Sequence, residues 1–138
     1  MRTYYLFCIK KKAYQKTKDK PKMLFILLKN MSKVKLNNYS YGLSLYKILC
    51  NNIQVNYLAN YLNYRFYITN NKRKYLFINK RLNEKTILII RNSCIIIHTN
   101  VNLPNILNVL NIYDRRFFVV DFENKDYFWL NSYHKSFV

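Results

Sequence analysis

The apolar positions change period several times along this chain, and each change predicts an element. Residues 23–31 (MLFILLKNM) read as a short apolar helix. Residues 33–37 (KVKLN) alternate, placing Val34 and Leu36 on one face of a short strand. Asn37 to Ser40 reads as a turn, with Ser40 placed to cap the next helix. Leu43, Leu45, Tyr46, Ile48 and Leu49 give that helix its apolar face through about Asn52, and Gly42 sits in its first turn, where a glycine costs little. From Ile53 to Leu62 helix and strand compete, although Val55, Leu58, Ala59 and Leu62 fit a helical period. Tyr64 to Thr69 (YRFYIT) is aromatic and alternating, which predicts a strand. Asn70 to Lys74 then reads as a charged turn, and Tyr75 to Ile78 as the returning strand of a hairpin. Asn79 to Lys85 is a second basic turn, and residues 86–91 (TILIIR) and 93–98 (SCIIIH) read as buried strands. Leu103 to Leu110 predicts a helix with Pro104 in its first turn, where proline is favoured. Phe117 to Phe122 is a strand, and the aromatic end from Tyr127 to Val138 suggests a last one.

That order predicts an α+β chain of two small lobes, each mixing short helices with a small, mostly antiparallel sheet. The expected divisions are a basic N-terminal arm over 1–22, a first lobe over 23–91 and a second over 92–138. Met1 to Ile9 is apolar but short, and runs into Lys10, Lys11 and Lys12, so at most it resembles a poor targeting peptide. No apolar run approaches the roughly 18 residues of a membrane helix, so no integral membrane segment is expected.

Charge changes this picture most. The 138 residues hold 24 Lys and Arg against 6 Asp and Glu, a net charge of +18. The balance is +10 over residues 1–35, +8 over 36–91 and zero over 92–138. Such a chain repels itself unless a polyanion cancels the field, which points to RNA, DNA or an anionic membrane surface. The heavy use of Asn, Ile, Tyr, Lys and Phe reflects A/T-rich codons, from which an organelle genome is the expected setting. Cys8, Cys50 and Cys94 form no CxxC pair and read as free thiols of a reducing compartment.

The candidate chemistry is cationic. Lys72, Arg73 and Lys74, with Lys80, Arg81 and Lys85 nearby, would project from a hairpin towards phosphates, with almost no acids in the region to pair with them. Tyr64, Phe66, Tyr67 and Tyr75 interleave with these cations and offer faces for unpaired bases. Lys10, Lys11 and Lys12 in the arm, Lys29, Arg91 and Lys125 complete the candidate RNA contacts together with Arg115 and Arg116, for which an ion pair with Asp114 is the competing use. Asp114 with Glu123 and Lys125 faintly resembles the Asp…Glu-x-Lys pattern of metal-dependent nucleases, but a charged turn explains the same residues. His98 and His134 are isolated, and a single glycine excludes a glycine-rich phosphate loop. No catalytic residue, metal, cofactor or small-molecule substrate is therefore expected.

The element order also resembles bacterial-type small-subunit ribosomal protein eight in a divergent organellar form. Met23-Leu24 with Leu28-Lys29-Asn30 looks like the family's opening helix, and Val34 to Leu36, Ser40 and the helix through Leu49 look like its next strand and second helix. Arg91 to Ile97 is similar to a basic turn leading into a strand. Leu103-Pro104-Asn105-Ile106-Leu107-Asn108 and Val109-Leu110-Asn111-Ile112 resemble the Leu-Pro helix and its following turn, before the strand Phe117 to Val120. The resemblance covers residues 23–125, but Asp121-Phe122-Glu123-Asn124-Lys125 replaces a turn rich in Ser, Thr and Gly, leaving only Lys125 to keep a family-like role. It implies a structural, non-enzymatic constituent of a mitochondrial small ribosomal subunit in the matrix, bound to ribosomal RNA and neighbouring ribosomal proteins. A peripheral subunit of a respiratory complex and a metal-dependent nuclease are the alternatives.

Overall fold

A computed structural model describes residues 1–32, 39–66, 73–114 and 116–134. Its centre is a seven-stranded antiparallel sheet in an α+β fold. The strands are β1 (Arg2–Ile9), β2 (Cys50–Asn51), β3 (Lys74–Asn79), β4 (Glu84–Ile90), β5 (Ile95–Thr99), β6 (Phe117–Asp121) and β7 (Asp126–Trp129). Their order across the sheet is β3-β4-β5-β1-β6-β7, and the short β2 pairs with the end of β1. The helices are α1 (Lys11–Thr17), α2 (Pro21–Ser32), α3 (Tyr39–Leu49), α4 (Val55–Phe66), α5 (Ile106–Tyr113) and α6 (Leu130–His134).

The first strand in sequence is the central strand in space. Arg2 to Leu6 pair with Thr99 to Ile95 on one side, and Tyr5 to Cys8 pair with Val120 to Phe117 on the other. Met1 to Ile9 therefore does not behave as a detachable leader: Tyr4, Leu6 and Ile9 are fully buried. The basic segment that follows is helix α1 and the start of α2 rather than an extended arm. The expected divisions at 22/23 and 91/92 do not fall at any break in the sheet, which runs through β1, β4 and β5 alike.

Alternation sorts the strand residues onto two faces. One face carries Tyr4, Leu6, Tyr75, Leu88, Ile97 and Val119, and packs against Leu58 and Leu62 of α4, Leu107 and Leu110 of α5, and Leu130 of α6. The other carries Phe7, Ile9, Phe118, Val120 and Trp129, and packs against Ala13 of α1, Leu24, Phe25 and Leu28 of α2, and Leu49 of α3. Aromatic pairs lock this second layer: Phe25 stacks on Tyr127 at 4.9 Å, and Tyr14 meets Trp129 edge-on at 4.8 Å.

Several local expectations change. Tyr64 to Phe66 end helix α4 instead of starting a strand, and the rest of that expected strand with most of its turn lies outside the described residues. The helical spacing of Val55, Leu58 and Leu62, all buried, outweighs the β propensity of the aromatics. The hairpin is instead β3–β4, turning through 80–83 with Asn83 at φ 51°. Ser40 lies inside α3 rather than before it. The aromatic end is short β7 followed by α6. The strand expected over 33–37 lies outside the described residues.

A polar clamp closes one end of the sheet. Arg2 Nε donates to Asp121 Oδ2 at 2.9 Å, and its other nitrogens donate to Asp126 Oδ2 at 3.1 Å and Asn102 Oδ1 at 2.8 Å. Its guanidinium also lies over the Tyr4 ring, 4.8 Å from the centroid. Burial disfavours the charge on Asp121. Hydrogen bonds from the Asn124 side chain and backbone and from Arg2 outweigh it, holding the carboxyl below its ordinary value.

Candidate partner-binding surface

The structure gathers cations at a place the sequence did not mark as one. Ile9 donates its N–H to Arg116 O at 3.1 Å, and Lys10 donates to Leu49 O at 2.9 Å. These two bonds pin the exit of β1 between the end of α3 and the approach to β6. A groove of about 630 Å³ opens beside them, bordered by Lys10, Lys11, Lys12, Lys16, Lys47 and Arg116. Its floor is apolar, formed by Ala13, Met23, Leu27, Ile48 and Leu49. Among the described residues, no carboxylate lines it.

Two features show that part of this charge works against the fold. Lys11 and Lys12 lie in the first turn of α1, where the helix dipole disfavours cations. Lys12 and Lys16 are also one helical turn apart, so they repel each other. Large apolar groups are exposed beside them: Ile48 is 66% and Met23 42% accessible. A cationic rim around an apolar floor suits a partner with acidic and apolar groups interleaved.

The sequence-derived cations divide into separate groups. Lys10, Lys11, Lys12 and Arg116 come together in this groove, joined by Lys16 of the same basic segment and by Lys47, which no sequence pattern singles out. Only the pairing of β1 with β2 and β6 brings them close. Lys29 lines a different cavity, of about 640 Å³, with Tyr5, Phe7, Tyr46 and Cys94. Arg73 and Lys74 lie at one end of β3, and Lys80 and Arg81 follow its other end, roughly 20 Å away at strand spacing. Lys85 pairs in register with Ile78, near the second pair. The single basic cluster expected from the hairpin is therefore split by the length of a strand. Arg91 stands exposed in the β4–β5 turn, and Lys125 in the β6–β7 turn. Lys72 and Arg115 lie outside the described residues.

Among the described residues, Tyr75 drops out of the expected aromatic platform. Tyr75 is fully buried, and its hydroxyl donates to Asn63 Oδ1 at 3.1 Å. Tyr64 is exposed on α4, while Tyr67 lies outside the described residues. The nuclease-like set is dispersed as well. Asp114 precedes β6 and accepts from the Arg116 N–H at 2.9 Å, whereas Glu123 and Lys125 follow the far end of that strand. His98 bonds to Thr3 Oγ1 at 2.9 Å within the sheet.

The three cysteines are free and buried. Burial pushes the Cys50 thiol up to about 12, and burial with the neighbouring Asp114 carboxylate does the same for Cys8. Burial also raises Cys94. All three stay protonated and therefore poorly nucleophilic near neutral pH.

Residues 2–134 match the family described as "Sporulation inhibitor of replication protein SirA". The chain belongs to the SirA family. A comparison with curated proteins gave no match. Membership in SirA overturns the resemblance to ribosomal protein eight and, with it, the structural role in a mitochondrial ribosome. SirA is a bacterial sporulation family, so the mitochondrial setting falls too. The A/T-rich codon signature describes the gene and carries no information about compartment. The respiratory-subunit and nuclease alternatives have no support in a SirA protein. Among the described residues, no helix is long and apolar enough to cross a membrane.

Proposed function

We propose that this SirA-family chain is a non-catalytic inhibitor of replication in sporulation, acting by holding an acidic, apolar-faced protein of the replication machinery in the α1–α3 groove. The observation that carries the reading is the family match over 2–134. The groove supplies a physical means: six cations steer an acidic surface into place, and the apolar floor supplies contact area.

Expressing the chain in a growing bacterium tests the reading. The ratio of origin to terminus DNA should fall. A variant carrying Lys11→Glu, Lys12→Glu and Lys47→Glu should lose that effect while keeping its helical circular dichroism. An unchanged ratio with the parent chain defeats the proposed role, and full inhibition by the folded variant defeats the groove.

The net charge of +18 favours a second reading, direct contact with duplex DNA. Salt-sensitive duplex binding by the purified chain, abolished by the same three substitutions, would move the target from protein to DNA.

A further inference from the structure

Among the described residues, the helix layer on the α1–α3 side stops halfway across the sheet. By register, the residues facing that side are Lys74, Leu76 and Ile78 on β3, Lys85, Ile87 and Ile89 on β4, and Ile96 and His98 on β5. Five of these eight are aliphatic. Leu76 is 50% and Ile78 59% exposed, Ile87 and Ile89 are only partly buried, and Ile96 borders the open area, partly buried against the core beneath α2 and α3. Their partners on the reverse side, Tyr75, Leu88, Ile90, Ile95 and Ile97, are buried beneath α4 and α5. A strand with one face in water ordinarily alternates apolar and polar residues, whereas residues 87–90 and 95–97 are aliphatic on both faces, as in strands covered on both sides.

The charge around this face has one sign. Lys74 and Lys85 lie on it, and Arg73, Lys80 and Arg81 flank it. The only carboxylate in these three strands, Glu84, faces the reverse side, where it accepts from the Thr86 hydroxyl at 3.1 Å. The open area is three strands wide and about five residues long, on the order of 15 Å each way. One helix, about 10 Å across, fills it. Self-association would set these cations against each other in a chain already at +18, which disfavours a second copy.

We propose that the open β3–β4–β5 face docks an amphipathic helix of a partner protein, with an aliphatic stripe on the sheet and Asp or Glu along its flanks. The docked helix completes the missing half of the layer. Its aliphatic side chains cover Leu76, Ile78, Ile87, Ile89 and Ile96, and its carboxylates reach Lys74, Lys85 and Arg81. This surface is separate from the α1–α3 groove, so the chain can hold two acidic elements at once.

The probe is a synthetic 18-residue helix with Leu at positions i, i+3, i+4 and i+7 and Glu on the flanks, beside a scrambled control. Titrated into the isotopically labelled full chain, the helix should shift the methyl signals of Leu76, Ile78, Ile87, Ile89 and Ile96, and the control should not. Leu76→Ser with Ile78→Ser should weaken binding at least tenfold. Lys74→Glu with Lys85→Glu should weaken it and remove its salt dependence, whereas the groove variant Lys11→Glu/Lys12→Glu should leave it unchanged. Thermal melts establish that each variant is folded. No binding, shifts confined to the α1–α3 groove, or equal affinity for the charge-reversed chain overturns the proposal. Sedimentation as a dimer that Ile78→Ser dissociates also overturns it, because a second copy would then be the occupant.

Discussion

The two halves of the sheet belong to one fold and both carry apolar residues on successive strand positions, yet one is sealed and the other is open. In β6 all five residues, Phe117 to Asp121, are buried, because α2 covers one face and α5 and α6 the other. In β4 and β5, apolar residues alternate between buried and half-buried, because among the described residues helices cover only one side. The strand itself does not decide whether its second face is dry. The neighbouring helix layer does, and here that layer ends near β1.

The largest expected difference between the halves is in core truncation. Phe118→Ala in the sealed half should cost about 3–5 kcal/mol in urea unfolding, the usual loss for a buried phenylalanine. Ile78→Ala in the open half should cost less than about 1 kcal/mol, since more than half of that side chain is already in water. Equal costs would mean that the open face is closed in solution.

Next in size is the clamp that closes the sealed half. Asp121→Asn should cost about 1–3 kcal/mol by weakening charge-assisted bonds to Arg2 and Asn124. The parent chain should also lose stability in acid. A carboxyl held below its ordinary value contributes fully above the unfolded value of about 4, and that contribution disappears as the pH falls through the folded value. Urea midpoints between pH 5 and pH 2 should therefore drop less steeply for Asp121→Asn than for the parent.

Tyr75→Phe probes the anchoring of the open half from its covered side. It removes the hydroxyl bond to Asn63 and should cost about 1 kcal/mol, read as a lower melting temperature. The smallest expected effect is at the β6–β7 turn. Lys125 has φ 55°, a left-handed conformation that disfavours a side chain, so Lys125→Gly should change stability by less than about 1 kcal/mol and not reduce it. A clear loss would show that the lysine has a contact in the sealed half.

Much of the fold was legible because local rules and tertiary packing agree in those places. The period of residues 23–31 and 43–49 marks α2 and α3, and the β-branched runs mark β4, β5 and β6. Legibility failed where a local preference met a long-range partner. Tyr64 to Phe66 have strand propensity, but they continue a helix already anchored by Leu58 and Leu62. Met1 to Ile9 looks like a terminal appendage, but it is paired with strands about 90 and 110 residues downstream. The groove was half legible. Lys10, Lys11 and Lys12 stood out as a run and Lys16 follows them one turn later on α1, while Lys47 and Arg116 join them only through the route of β1. The resemblance to a ribosomal protein shows a related limit, because element order and positive charge are shared by proteins of unrelated function.

The amino-acid sequence alone determined an α+β chain with a large excess of positive charge, most of its elements, and three cysteines without a CxxC pair. Those properties follow from short-range periodicity and from counting, which need no knowledge of the fold. Tertiary structure decided that β1 is the sheet's centre, that Asp121 lies buried against an arginine 119 residues away, and that six lysines and arginines share one apolar-floored groove. It also decided that one aliphatic face stays open. Each of these depends on which distant strands pair, and that choice is set by global packing of the two helix layers rather than by any local pattern.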